Sequence, residues 1–129
     1  MKDIIPETEA SKLTLIEQDR YLEGRVGATD SLGSLKAQLR ELAVVCGTRR
    51  AGLVLIDTTR YSGTLSTLDR YELGMIGQHF GTHVRRVACL ANPELIDPQK
   101  FAVKVARNRG LEVDIFSERS EAEAWLLEA

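Results

Sequence analysis

The sequence predicts an α/β fold: a mixed, mostly parallel sheet of about five strands with about four helices, in the order ββαβαβαβα. Three observations predict it. The runs AGLVLID (Ala51 to Asp57) and VRRVACLAN (from Val84) hold short apolar stretches without clean alternation, the form of a strand covered on both faces. Segments of helical period separate these runs from each other and from a later strand, so the strands must pair in parallel through helical crossovers. Two strand-like segments at the start lie only a short polar link apart, which suits an antiparallel hairpin.

The elements follow in order. KLTLIEQ and RYLEGRVG are the hairpin strands, with the link around Gln18 to Arg20. From Thr29 or Asp30, either of which can cap, leucines at 32, 35, 39 and 42 recur at helical spacing until Gly47, a C-terminal stop. AGLVLID is a central strand. Leu65 to Phe80 is helical, although Gly74 and Gly77 each cost about 1 kcal/mol against alanine. VRRVACLAN is the next strand. In DPQKFAVKVARNRG, Asp97 caps, Pro98 takes the first helical position and Gly110 lies past the end. LEVDIF is the last strand. SEAEAWLLEA is the last helix, with Ser120 and Glu123 at capping-box spacing.

At 129 residues the chain is expected to be one domain over 12–129, preceded by a loose lead-in over 1–11 that contains Pro6 and several acids. Seventeen basic against 19 acidic residues leave a net charge of −2, so no global field draws in nucleic acid. No apolar run approaches the roughly 20 residues of a membrane span, and the opening MKDIIPETEA lacks the pattern of a secretory signal. Cys46 and Cys89 each sit in an apolar run and are read as buried and reduced, which fits a cytoplasmic protein.

The element order, closed by RGLEVDIFSERSEAEAWL, resembles the STAS-like (SpoIIAA-like) domains of bacteria, including small stand-alone members related to the CRAL-TRIO lipid carriers. The resemblance covers nearly the whole chain after Lys12. Its most specific part is Gly110, the alternating strand ending in Phe116, the acidic helix start and Ala124-Trp125-Leu126. It implies a binding module without catalysis. In the anti-anti-sigma branch, the loop after the third strand carries Asp-Ser-Ser-Gly, whose serine a partner kinase phosphorylates. Here SGTLSTLD places Ser66 and Thr67 nearest that serine, with Leu65 and Leu68 where the aspartate and glycine would stand. The motif is absent as written, yet the hydroxyls remain at a helix start that could hold a phosphate.

Asp57 ends an apolar strand, as the phosphoacceptor of a receiver domain does, and Glu17 and Asp19 imitate an acidic pair for magnesium. Against that reading, too few elements separate Asp19 from Leu53, and no lysine follows the final strand. Asp57 is therefore read as an acid that ties down the next loop. At about 100° per residue, Leu65, Leu68, Tyr71, Leu73, Met75, Ile76 and Phe80 spread over an arc of about 200°, with Asp69, Glu72 and His79 inside it and the two glycines opposite. Such a helix either lines an apolar cavity, its glycines allowing movement, or is an ordinary amphipathic helix with snorkelling charges. His79 and His83 lack a third ligand for a metal site, and no cysteine pairs with a histidine or in CxxC. No phosphate-binding glycine loop follows a strand. The pairs Arg49-Arg50 and Arg85-Arg86 are read as helix-end cations and solvated faces.

The sequence therefore leads to a non-catalytic regulatory or protein-interaction module, needing no cofactor or metal. Its contact surface would be the loop from Thr58 to Thr67 and the helix residues Leu65, Leu68, Tyr71, Glu72, Met75, Ile76, His79 and Phe80. The same residues serve the alternative, a carrier or sensor of a nonpolar small molecule lodged between the sheet and this helix. A further alternative is an antagonist switched by phosphorylation at Ser66 or Thr67. A protein partner is expected, and two copies could pair through a sheet edge as a homodimer.

Overall fold

In the computed structural model, which describes residues 12–128, the expected hairpin forms between β1 (Thr14–Glu17) and β2 (Leu22–Arg25). Its turn is closed by the Gln18 N–H, which donates to the Tyr21 carbonyl at 3.0 Å. From β2 onward every pairing is parallel, with β3 (Leu53–Asp57), β4 (Arg86–Leu90) and β5 (Val113–Phe116) lying side by side in chain order. The crossovers are α1 (Leu32–Arg49), α2 (Thr67–Met75) and α3 (Phe101–Asn108), and α4 (Arg119–Leu126) follows β5. The α/β class, the five-stranded mixed sheet and the four helices are as expected; the lead-in over 1–11 lies outside the described residues.

Strand order fixes where the helices go. Right-handed crossovers that all step the same way must share one face of the sheet. Accordingly, Val54, Ile56, Val87 and Val113 join Leu35 and Leu42 of α1 and Val103 of α3 in the larger apolar cluster. The intervening strand positions, Leu55 and Ala88, pack on the other face with Ala122 and Leu126 of α4. Gly24 of β2 lies under α1, where a Cβ would come within 2.6 Å of the Leu42 side chain. At the β5 edge, Lys100 and Arg107 reach Asp114 at 3.0 and 3.7 Å, placing charge on a strand that would otherwise offer an open edge.

Five helix boundaries differ from expectation, each for a local reason. Ser31, not Thr29 or Asp30, caps α1, its Oγ accepting from the Ser34 N–H at 3.2 Å. That helix runs through Gly47 and ends where Arg50 adopts a left-handed conformation (φ 54°), its N–H returning to the Cys46 and Gly47 carbonyls. The stretch Leu65 to Phe80 is not one helix: α2 begins after Ser66 and gives way to a 3₁₀ turn (Ile76–Phe80), which stops at Gly81 (φ 79°). Lys100, in a left-handed conformation (φ 50°), is the N-cap of α3, so both Asp97 and Pro98 stand outside the helix, although Asp97 still accepts from the Phe101 N–H at 3.2 Å. The Ser120–Glu123 capping box does not form. Ser120 lies inside α4, and the Glu123 carboxylate is engaged by the Tyr21 hydroxyl and by Arg119.

Candidate functional site

The site is built by the segment that leaves β3. Asp57, 8% exposed, accepts from the Thr59 N–H at 2.9 Å and the Thr59 hydroxyl at 2.7 Å, turning the chain over the carboxyl ends of the strands. Thr58 fastens the turn to β4 through the Leu90 carbonyl, and Asn92 donates to the Thr59 carbonyl at 2.9 Å. Tyr61 is buried, with its hydroxyl donating to the Thr64 carbonyl at 3.0 Å. Ser66 and Asp69 then cap α2 reciprocally, at 3.1 and 2.8 Å.

Beneath α2 lies an apolar cavity of about 140 Å³. Its floor is Ile56, Val87 and Cys89 of the sheet, and its walls include Leu39 of α1, Leu73 of α2, Ile76 and Phe80 of the 3₁₀ turn, and Ala102 and Ala106 of α3. At the mouth stand Thr58, Tyr61, Leu65 and Arg70. The Arg70 guanidinium is fixed on three sides: Nη1 donates to the Leu65 carbonyl at 2.6 Å, Nη2 to the Leu95 carbonyl at 3.1 Å, and Nε lies 3.3 Å from Asp97 Oδ1. Outside this mouth is an open basin of about 490 Å³, more polar than the cavity and bordered by Thr59, Arg60, Ser62, Thr64 and Asn92.

The structure divides the residues singled out in the sequence. Leu65, Ile76 and Phe80 line the cavity. Leu68 and Tyr71 do not: they are 63% and 40% exposed on the outer side of α2. Glu72 turns to α1, where Lys36 meets it at 2.6 Å, and Met75 takes a contact from Arg109 Nε at 3.0 Å. His79 is exposed, as is His83. The arc of about 200° assumed one continuous α-helix. The change to 3₁₀ geometry after Met75 separates the Ile76 and Phe80 directions from that of Leu68.

The two glycines are corrected more sharply. Far from freeing the helix to move, Gly74 and Gly77 let it lie against α3. A Cβ at Gly74 would stand 2.6 Å from the Ala102 carbonyl, and one at Gly77 would stand 3.0 Å from the Ala106 Cβ. Ser66 and Thr67 are exposed at the start of α2, the Ser66 hydroxyl serving as its cap. Cys46 is buried as expected, whereas Cys89 is only partly so because it faces the cavity. Burial pushes the Cys46 thiol up to about 11; burial, helped by Asp114, pushes that of Cys89 up to about 12.

Sequence reasoning included Tyr61 only as part of the Thr58 to Thr67 loop and missed Arg70, since only the loop path brings them to the cavity mouth. It also missed a charged cluster on the α4 face. Glu23, 0% exposed, accepts from Arg119 Nη1 and Nη2 at 3.1 and 2.7 Å, from Arg25 at 3.0 Å and from Gln18 at 2.9 Å. Burial alone would raise its carboxyl, but these hydrogen bonds outweigh it and bring the pKa down to about 2. Asp57 borders the same cluster, 3.5 Å from Arg119 Nη2 and 3.8 Å from Arg25 Nε. Its neighbours are thus cations rather than an acidic pair. Glu17 sits at the hairpin end of the sheet, paired with Arg49. Arg86 is a helix-end cation, as expected, donating to the Trp125 carbonyl of α4 at 2.7 Å.

Among the described residues, no three His, Cys, Asp or Glu side chains gather as metal ligands, and no helix is long and apolar enough to cross a membrane. No protein-family model matches the chain, and comparison with curated proteins and with solved structures yields no match.

Proposed function

We propose that the protein is a non-catalytic binding module that holds a small nonpolar group between the sheet and α2. The observation that carries this reading is the apolar cavity itself, floored by Ile56, Val87 and Cys89 and opening beside Arg70. Side chains normally fill such a space in a close-packed interior. Concave, mostly apolar pockets with a few polar groups at one end are the usual form of small-molecule sites. The strand and helix order and the C-terminal Ala124-Trp125-Leu126 pattern support a STAS-like relationship, in which such a module carries or senses its ligand.

The test is native mass spectrometry of freshly purified protein alongside NMR titration with toluene. Expected are a mass excess lost on denaturation, or toluene-induced shifts confined to the amides of Ile56, Cys89 and Val103. Neither an excess nor shifts at those residues would refute the reading.

A second reading has its own observation. Leu68 and Tyr71, one turn apart and both exposed, give α2 an apolar outer surface for a protein partner. The change L68D should then weaken capture of that partner while leaving the thermal midpoint unchanged.

A further inference from the structure

The cavity and the basin adjoin through shared lining. Tyr61, Leu65, Arg70 and Leu95 border both, and Arg70 is the one charged residue among the described residues that does so. The cavity is small. A dry apolar cavity of about 150 Å³ takes a benzene-sized guest, so about 140 Å³ encloses one ring or a short branched chain and not a long acyl chain.

The basin has a different chemistry. Thr59, Ser62 and Thr64 border it, and its charged residues are Arg60 and Arg70 against Glu94, a balance of two cations to one anion. Arg70 donates one N–H from each Nη to the Leu65 and Leu95 carbonyls, while its Nε faces Asp97 as an ion pair. Each Nη carries two N–H groups, so one on each remains for a carboxylate. Asp97, the acid nearest to Arg70, takes the Nε side and borders the cavity rather than the basin.

We infer that the ligand is a small amphipathic acid, its ring-sized apolar end in the cavity and its acidic head in the basin against Arg70. This rests on the small-molecule reading above and adds the class of ligand. Arg70 is held in place before the ligand arrives, so a bound head group orders no long side chain. The rest of the basin accommodates polar substituents on the acid.

The probes are phenylacetate, its primary amide and hexadecanoate, titrated by NMR and calorimetry into the unaltered chain and into R70Q, R70K and C89F. Phenylacetate is expected to bind at least about tenfold more tightly than the amide, since charge-assisted pairing distinguishes them. R70Q should bring the acid to the level of the amide in that same variant, and R70K should retain part of the difference. C89F, which fills the cavity floor, should abolish both. Equal binding of acid and amide would overturn the head-group assignment and leave the nonpolar reading standing. Tighter binding of hexadecanoate would overturn the size assignment. Absence of any binding up to millimolar concentration would overturn both the inference and the reading beneath it. The acid–amide comparison on the unaltered chain decides the matter even if a variant fails to fold.

Discussion

Replacing Glu23 with glutamine removes the charge at the centre of the α4-face cluster while keeping its shape. Glu23 is fully buried and accepts four hydrogen bonds, two of them from Arg119, the first residue of α4. The cluster therefore ties the last helix to β2. Its carboxyl falls from the ordinary 4.5 to about 2 in the folded chain. At about 1.4 kcal/mol per pKa unit, that difference is worth about 3 kcal/mol of stability near neutral pH. A depressed folded pKa means that the unfolded chain takes up the proton first, so the contribution is complete above about pH 5 and disappears as pH falls towards 2. Urea unfolding of the two proteins between neutral pH and about pH 3 is the assay. E23Q should be less stable by about 3 kcal/mol near pH 7, and the gap should narrow to about 1 kcal/mol near pH 3. A gap that stays constant with pH, or one near zero at neutral pH, would refute the assignment of Glu23 as the ionised anchor of α4.

Three further outcomes follow from local geometry. Gly74→Ala and Gly47→Ala make the same change in helical segments with opposite results. At Gly47 nothing lies within 4 Å, so alanine should raise stability by about 1 kcal/mol; at Gly74 the Ala102 carbonyl at 2.6 Å should turn that gain into a loss of about 1–2 kcal/mol, both read by urea midpoints. Ser66→Ala removes the α2 cap and should cost about 1 kcal/mol, with earlier hydrogen exchange at the Asp69 amide. Neither Cys46 nor Cys89 should react with iodoacetamide near pH 8 in the folded protein, whereas both should react in urea, because burial holds their thiols protonated.

The architecture was legible because it depends on features that survive in one dimension. Continuous apolar runs at Leu53 to Asp57 and Arg86 to Leu90, separated by helical periods, leave a parallel sheet as the arrangement that covers both strand faces. Asp57 was also legible, since a side chain that bonds the backbone two residues on needs no distant partner. The helix ends were harder. Whether Gly47 or Arg50 turns the chain, and whether Ser120 or Glu118 starts the last helix, depends on competing partners such as Tyr21, 102 residues away from Glu123.

Periodicity was enough for the fold class, for the order of strands and helices along the chain, and for the placing of Leu65, Ile76 and Phe80 in an apolar stripe, whereas the side-by-side order of the strands came from the fold. Packing alone turned Leu68 and Tyr71 outward, set Gly74 of α2 and Gly77 of the 3₁₀ turn against α3, and placed Arg70 at the mouth of a cavity. It also brought Glu23, Arg25 and Arg119 together across 96 residues of chain. The physical reason is the same in each case. Periodicity records which residues avoid water, but close approach and charge pairing depend on which surfaces meet, and that is settled only when the sheet and helices pack.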